Sequence, residues 1–158
     1  MTSPDEQTSQ IIPQRGSETR TKGNRAANKI VVDTTVIIAV LINESSKERI
    51  LDLTLNTILV APASLDLEIG NAFSRMFKRK RLDLSTAKKA IGAYLQIPIE
   101  LRTVDLASAV KLSHSLDIYA YDAYVIDCAR QLGAPLLSLD GGLVEAGRRA
   151  DVKIIEVE

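Results

Sequence analysis

Four carboxylates stand where the chain could do chemistry. Asp33 follows the apolar run Ile30-Val31-Val32, and Asp140 follows Pro135-Leu136-Leu137-Ser138-Leu139. Both runs read as short buried strands, β-branched or apolar and without the polar alternation of a half-exposed strand. An acid directly after buried apolar residues is costly unless it is paired, hydrogen-bonded or bound to a metal. Two more acids, Glu68 in Leu67-Glu68-Ile69-Gly70-Asn71 and Asp122 in Tyr121-Asp122-Ala123-Tyr124, stand in the first turns of expected helices. Converging without bases, four acids would repel one another, and a divalent cation is the usual remedy. Ligands that offer only oxygen favour hard cations, Mg²⁺ or Mn²⁺. For each acid alone a plainer reading stays open. Asp33 is also a good turn or capping residue, and Glu68 and Asp122 also complement the positive end of a helix.

The positioning elements follow from the pattern. The strand at 30–32 feeds a helix from about Thr34 to Ile42, with Thr34 as its cap. A second helix covers about Ser46–Leu55 and a strand Ile58–Val60. A helix capped by Ser64 runs through Ile69, Ala72, Phe73 and Met76 to Phe77, ending in Lys78-Arg79-Lys80-Arg81. Ser85 caps the next helix, to about Gln96; Ile99–Val104 is strand-like, and Asp105 caps a helix over 106–116. A helix over 120–132 stops at Gly133, the strand at 135–139 precedes a short helix begun by Gly141-Gly142, and Val152–Val157 is the last strand. Strands alternating with helices predict an α/β fold in three α/β/α layers, with a short, mainly parallel central sheet of four or five strands. Strand order is not readable from this pattern. In such sheets, acids at the carboxyl ends of neighbouring strands share one crevice.

Composition narrows the options. The chain has 158 residues, 46% of them hydrophobic and 25% charged, the balance of one soluble domain. Formal net charge is zero, so no global field points to nucleic acid or membrane. One cysteine, Cys128, excludes an internal disulfide and fits a reducing, cytoplasmic setting; among apolar neighbours it reads as a buried structural thiol. One histidine, His114, excludes sites built on several His ligands and reads as a surface residue near a helix end. No apolar run reaches the ~18 residues of a membrane span. Residues 1–28 are polar, with acids at Asp5, Glu6 and Glu18 and bases at Arg15, Arg20, Lys22 and Arg25, and are expected to form a disordered tail. Residues 29–158 form the domain.

The four pieces together, Val-Val-Asp33-Thr-Thr35-Val, Leu-Glu68-Ile-Gly-Asn71-Ala, Tyr121-Asp122-Ala-Tyr-Val-Ile-Asp-Cys-Ala and Leu-Leu-Ser138-Leu-Asp140, resemble the PIN-domain family. They look most like its small members that act as toxins in VapBC-type toxin–antitoxin pairs. The acids are separated by 35, 54 and 18 residues, and the resemblance covers 29–158. It implies a Mg²⁺- or Mn²⁺-dependent endoribonuclease. Asp33, Glu68, Asp122 and Asp140 match the family's acids in order and are the implied catalytic and metal-binding residues. Thr35 matches a Ser/Thr that orders the metal site, and Asn71 stands where a polar supporting residue is common. Ser138 replaces a usual Thr but keeps its hydroxyl. A single-stranded or structured RNA substrate, a cognate antitoxin and a homodimer are the implied partners.

Other residues carry two readings. Arg75 and the run Lys78–Arg81 suit an RNA backbone, but cations also complement a helix C-terminus. Tyr119, Tyr121 and Tyr124 could stack on bases, although the helical spacing of Tyr121 and Tyr124 favours packing. Asp66, Asp117 and Asp127 read as solvated helix or loop acids. The rival functions are a non-catalytic PIN-like module that binds RNA or protein, and a haloacid-dehalogenase-type phosphohydrolase. The latter expects an acid two residues after Asp33, where this chain has Thr35.

Overall fold

The computed structural model describes residues 28–158, so the expected tail lies, but for Asn28, outside the described residues. Five strands and seven helices follow one another in this part of the chain. They run β1 (Lys29–Val32), α1 (Thr34–Leu41), α2 (Lys47–Thr54), β2 (Ile58–Pro62), α3 (Leu65–Lys78) and α4 (Leu84–Tyr94). Then come β3 (Ile99–Arg102), α5 (Leu106–Leu116), α6 (Ala120–Leu132), β4 (Leu136–Leu137), α7 (Gly141–Arg149) and β5 (Ile154–Ile155). The strands form one sheet in the order β3-β2-β1-β4-β5, and every pairing is parallel.

β1 explains the layering. Its alternate side chains face opposite ways, as a strand's pleat requires. Ile30 and Val32 join the core that packs α1 to α4, while Val31 joins Val60, Leu136 and the buried faces of α5 to α7. Both faces are covered, which is why the strand shows no polar alternation. The strand order also creates a switch point. From β1 the chain winds outward through β2 to β3, then crosses to the other side of β1 to make β4. A crevice therefore opens at the carboxyl ends of β1 and β4, where open α/β sheets bind ligands.

Several boundaries differ from the sequence reading, each for a local reason. The strand expected over 135–139 pairs only at Leu136 and Leu137. Beyond them the backbone turns to side chains: Leu139 N–H donates to Thr35 Oγ1 at 3.0 Å and Asp140 N–H to Ser138 Oγ at 3.0 Å. β5 is correspondingly short, because β4 offers it only two partners. β3 ends at Arg102, and Asp105 caps α5 by accepting from Ser108 N–H at 3.0 Å. Two caps move upstream. Asp33, not Thr34, caps α1, and Asp83, not Ser85, caps α4 by accepting from Thr86 N–H at 2.7 Å. A carboxylate placed before the first turn accepts an orphan amide there, which frees the neighbouring hydroxyls for other work.

α7 lies close against the sheet because Gly147 has no side chain. A Cβ there would stand 3.0 Å from Ile154 Cδ1 and 3.4 Å from Leu136 Cδ2. Gly147→Leu should therefore overpack this contact and destabilise the fold by about 1–3 kcal/mol, read as a lower denaturant midpoint with an unchanged slope. A midpoint equal to the parent's would show that α7 is free to shift away from β4 and β5.

Candidate active site

Asp33 is the anchor of the site. It follows directly on β1 and is only 6% exposed. Its Oδ1 accepts from Val36 N–H at 3.4 Å, capping α1. The Thr35 hydroxyl lies 2.7 and 2.9 Å from its two oxygens. The same hydroxyl accepts from Leu139 N–H, so one threonine fixes both the acid after β1 and the loop after β4. Burial raises the Asp33 pKa above the ordinary carboxylate value, opposed chiefly by the Thr35 hydrogen bond.

Glu68 reaches the same place from the first turn of α3. Ser64 Oγ donates to its Oε1 at 2.9 Å and Thr34 Oγ1 to its Oε2 at 3.1 Å. Ser64 makes no capping bond to the helix backbone, so its hydroxyl serves Glu68 rather than the helix start. Burial raises the Glu68 pKa, and the charges of Asp33 and Asp122 add to that rise.

Asp122 and Asp140 complete the set from the other half of the sheet. Asp140 caps α7, its Oδ1 accepting from Gly142 N–H at 2.8 Å and Leu143 N–H at 3.1 Å. Asp122 sits in the first turn of α6, whose cap residue, Tyr119, makes no side-chain capping bond. Burial raises its pKa, and the nearby Asp140 charge raises it further. A capping role explains Asp140 without chemistry, but it does not explain Asp122.

All four acids line one cleft of about 430 Å³, together with Thr34, Thr35 and Asn71. Asn71 stands one turn after Glu68 on α3 and faces the opening. Ser138 is buried behind the rim, 3.5 Å from Thr35 Oγ1. Arg75, Arg79 and Arg81 form one wall and join none of the ion pairs among the described residues. Lys78 and Lys80 do not line the cleft. Among the described residues no three acids come close enough together to enclose an ion. The oxygens of Asp33, Glu68 and Asp140 are instead held by hydroxyls and amides, and Asp122 accepts no hydrogen bond among the described residues.

Three expectations need correction. Asp127 is not a solvated acid: it is 6% exposed, with Ser108 Oγ donating to its Oδ1 at 2.7 Å and Gln131 Nε2 to its Oδ2 at 2.6 Å. Tyr121 is not packed away: it is 44% exposed and lines the acid cleft, its ring edge-on to the half-buried Tyr124 at 5.6 Å. Thr34, read as a cap, is a ligand of Glu68. No local pattern signals that contact, because it joins α1 to α3 across 34 residues. Other expectations hold. Asp66, Asp117 and His114 are exposed, although Asp66 also accepts from the Tyr94 hydroxyl at 2.6 Å. Burial pushes the half-buried Cys128 thiol up to about 11, which leaves it protonated and unreactive at neutral pH.

Comparison with solved structures finds the same fold elsewhere. PAE2754 from Pyrobaculum aerophilum superposes with a TM-score of 0.63 at 17% identity, covering 81% of this chain and 91% of that one. VapBC2 from Rickettsia felis, bound to a DNA fragment from its promoter, gives 0.59 at 13% identity, covering 82% and 99%. VapC20 of Mycobacterium tuberculosis, described as a sarcin-ricin loop cleaving toxin, gives 0.56 at 17% identity, covering 75% and 95%. No curated protein sequence matches the chain. The family comparison is direct: residues 30–149 match the PIN domain over most of the described chain, and they take in all four acids. With its acids gathered at the switch point of a parallel sheet, this chain belongs to the PIN domain family.

Proposed function

We propose that the acid cleft hydrolyses phosphodiester bonds of RNA with a divalent cation, Mg²⁺ or Mn²⁺, as the toxin of a toxin–antitoxin pair. The observation that carries this reading is the convergence of Asp33, Glu68, Asp122 and Asp140, from four separate elements, on one cleft. Two structures that share the fold are named as a VapC toxin and a VapBC complex, which supports the toxin assignment and a cognate antitoxin as partner.

The residues fit a hard cation by chemistry. The donors are carboxylate oxygens, burial raises the pKa of three of them, and Asp122 accepts no hydrogen bond among the described residues. A Mg²⁺ ion keeps several waters and takes one or two carboxylates plus substrate phosphate oxygens, so it does not require three acids in direct contact with it. Asp33 and Asp122 are the principal ligands in this proposal, with Glu68 and Asp140 bound directly or through water. When bound, the ion supplies an activated water and neutralises charge on the phosphoryl oxygens. The chain's own residues do the rest. Thr35 holds the Asp33 carboxylate in one orientation, and Thr34 and Ser64 hold Glu68. Arg75, Arg79 and Arg81 bind neighbouring phosphates, which positions the scissile bond over the acids.

The test is cleavage of single-stranded RNA by the purified protein. Activity should require Mg²⁺ or Mn²⁺ and stop with EDTA. Activity that persists in EDTA, or that needs Zn²⁺, contradicts the proposal.

A stability measurement probes the same acids without an assay for activity. The Asp122 pKa is raised in the fold, so its folded form binds a proton more readily than its unfolded form does. The corresponding stability is present below the ordinary carboxylate pKa and is lost as pH rises through the raised value. Asp122→Asn should therefore gain stability relative to the parent at pH 7 and lose that advantage in acid. With Mg²⁺ at 100 times its dissociation constant, the parent should gain about 2.7 kcal/mol and the variant less. Thermal melts at two pH values, with and without Mg²⁺, check both. A variant that is strongly destabilised without metal and responds to Mg²⁺ like the parent would make Asp122 a structural helix residue.

A further inference from the structure

A second cleft of about 370 Å³ opens beside the first, at the carboxyl end of the edge strand β3. Its lining includes Arg102 and Thr103 after the strand, and Tyr124, Asp127, Cys128 and Gln131 from α6. We propose that this cleft holds the base of an unpaired nucleotide flanking the scissile phosphate. The inference rests on the reading of the first cleft as an RNA-cutting site, and it assigns that site a second contact point.

α6 connects the two clefts. Tyr121, Tyr124, Cys128 and Gln131 recur at spacings of three and four and so form one stripe along the helix. Tyr121 lines the acid cleft, and the other three line the second. From residue 121 to residue 131 the helix advances about 15 Å, at about 1.5 Å per residue. The edge-on Tyr121–Tyr124 pair is the ridge between the clefts. Aromatic faces on such a ridge suit stacked bases of a single strand, and a paired strand cannot offer them.

The lining of the second cleft suits a base better than a phosphate. Asp105 and Asp127 put negative charge there, which opposes a phosphate in its depth. Asp127 is preorganised: Ser108 and Gln131 each donate to one of its oxygens, and a carboxylate has lone pairs beyond those two. Those lone pairs can accept from the exocyclic amino or ring N–H groups of a base. Arg102 is exposed, joins no ion pair among the described residues, and can take the phosphate at the mouth of the cleft. The volume also falls in the range of small-ligand sites.

The experiment uses the full chain in EDTA, so that binding is read without cutting. The probe is a single-stranded RNA of mixed sequence carrying thiouridine, photo-crosslinked and mapped by mass spectrometry, with affinity followed by anisotropy across salt concentrations. Adducts are expected on residues of the second cleft, Tyr124 foremost, as well as on Tyr121. Arg102→Ala should weaken binding about tenfold and lower the salt slope by about one, the signature of one lost phosphate contact. Lys153→Ala, at an exposed lysine outside both clefts, is the control. Adducts confined to the first cleft, or an Arg102→Ala variant that binds like the parent, would overturn the second contact point while leaving the RNA-cutting reading intact. A parent chain that neither binds this RNA nor cuts it with Mg²⁺ would overturn both.

Discussion

The site depends on keeping one buried carboxylate in place at the end of the central strand. Asp33 lies where β1 stops, walled in by the apolar residues of both cores, and without partners it would be among the most costly groups in the molecule. Its partners are few: the Thr35 hydroxyl, the Val36 amide and, from the loop after β4, the Ser138 hydroxyl. These same contacts start α1 and, through Leu139, pin the loop that carries Asp140. The acid is therefore the join between the two halves of the sheet. Satisfying it arranges the second strand end at the distance from which a second acid can approach.

That arrangement stores unfavourable electrostatics in the cleft. Burial opposes the charged forms of Asp33, Glu68 and Asp122, and mutual repulsion adds to it at Glu68 and Asp122. Hydroxyls from Thr34, Thr35 and Ser64 offset part of the cost, and three arginines in no ion pair among the described residues stand along one wall. A cleft held in this state favours whatever brings positive charge among the acids, or phosphate between them and the arginines. Clusters of perturbed groups in a cleft also arise in purely structural networks. Here Asp122 stands in the first turn of α6, where the helix favours its charge, but it accepts no hydrogen bond among the described residues and lies beside the other acids.

Much of this was legible along the chain, and the illegible parts share one cause. The βα alternation, the unalternating Ile30–Val32 run and the stop at Gly133 follow from local periodicity and local backbone needs, so the three-layer fold could be read directly. Asp33 and Asp140 were each visible as acids at strand ends. Their adjacency was not, because strand order is set by the crossover from β3 to β4, and no residue pattern encodes it. Asp127 was misread for a similar reason. On α6 it looks like any helical acid, and the Ser108 hydroxyl that permits its burial comes from α5. Tyr121 shares helical spacing with Tyr124, yet only Tyr124 turns far enough inward to be half-buried. Contacts between elements decided each of these cases, and local sequence carries little information about them.

The proposed function requires that Asp33, Glu68, Asp122 and Asp140 hold one cation between them. Paramagnetic Mn²⁺, titrated at low ratio into isotope-labelled protein and followed by amide NMR, tests it most directly. Selective broadening is expected, centred on Asp33, Thr34, Thr35, Glu68, Asp122 and Asp140 and removed by excess Mg²⁺. Broadening centred on other acids, or spread over the exposed acids alike, would contradict it.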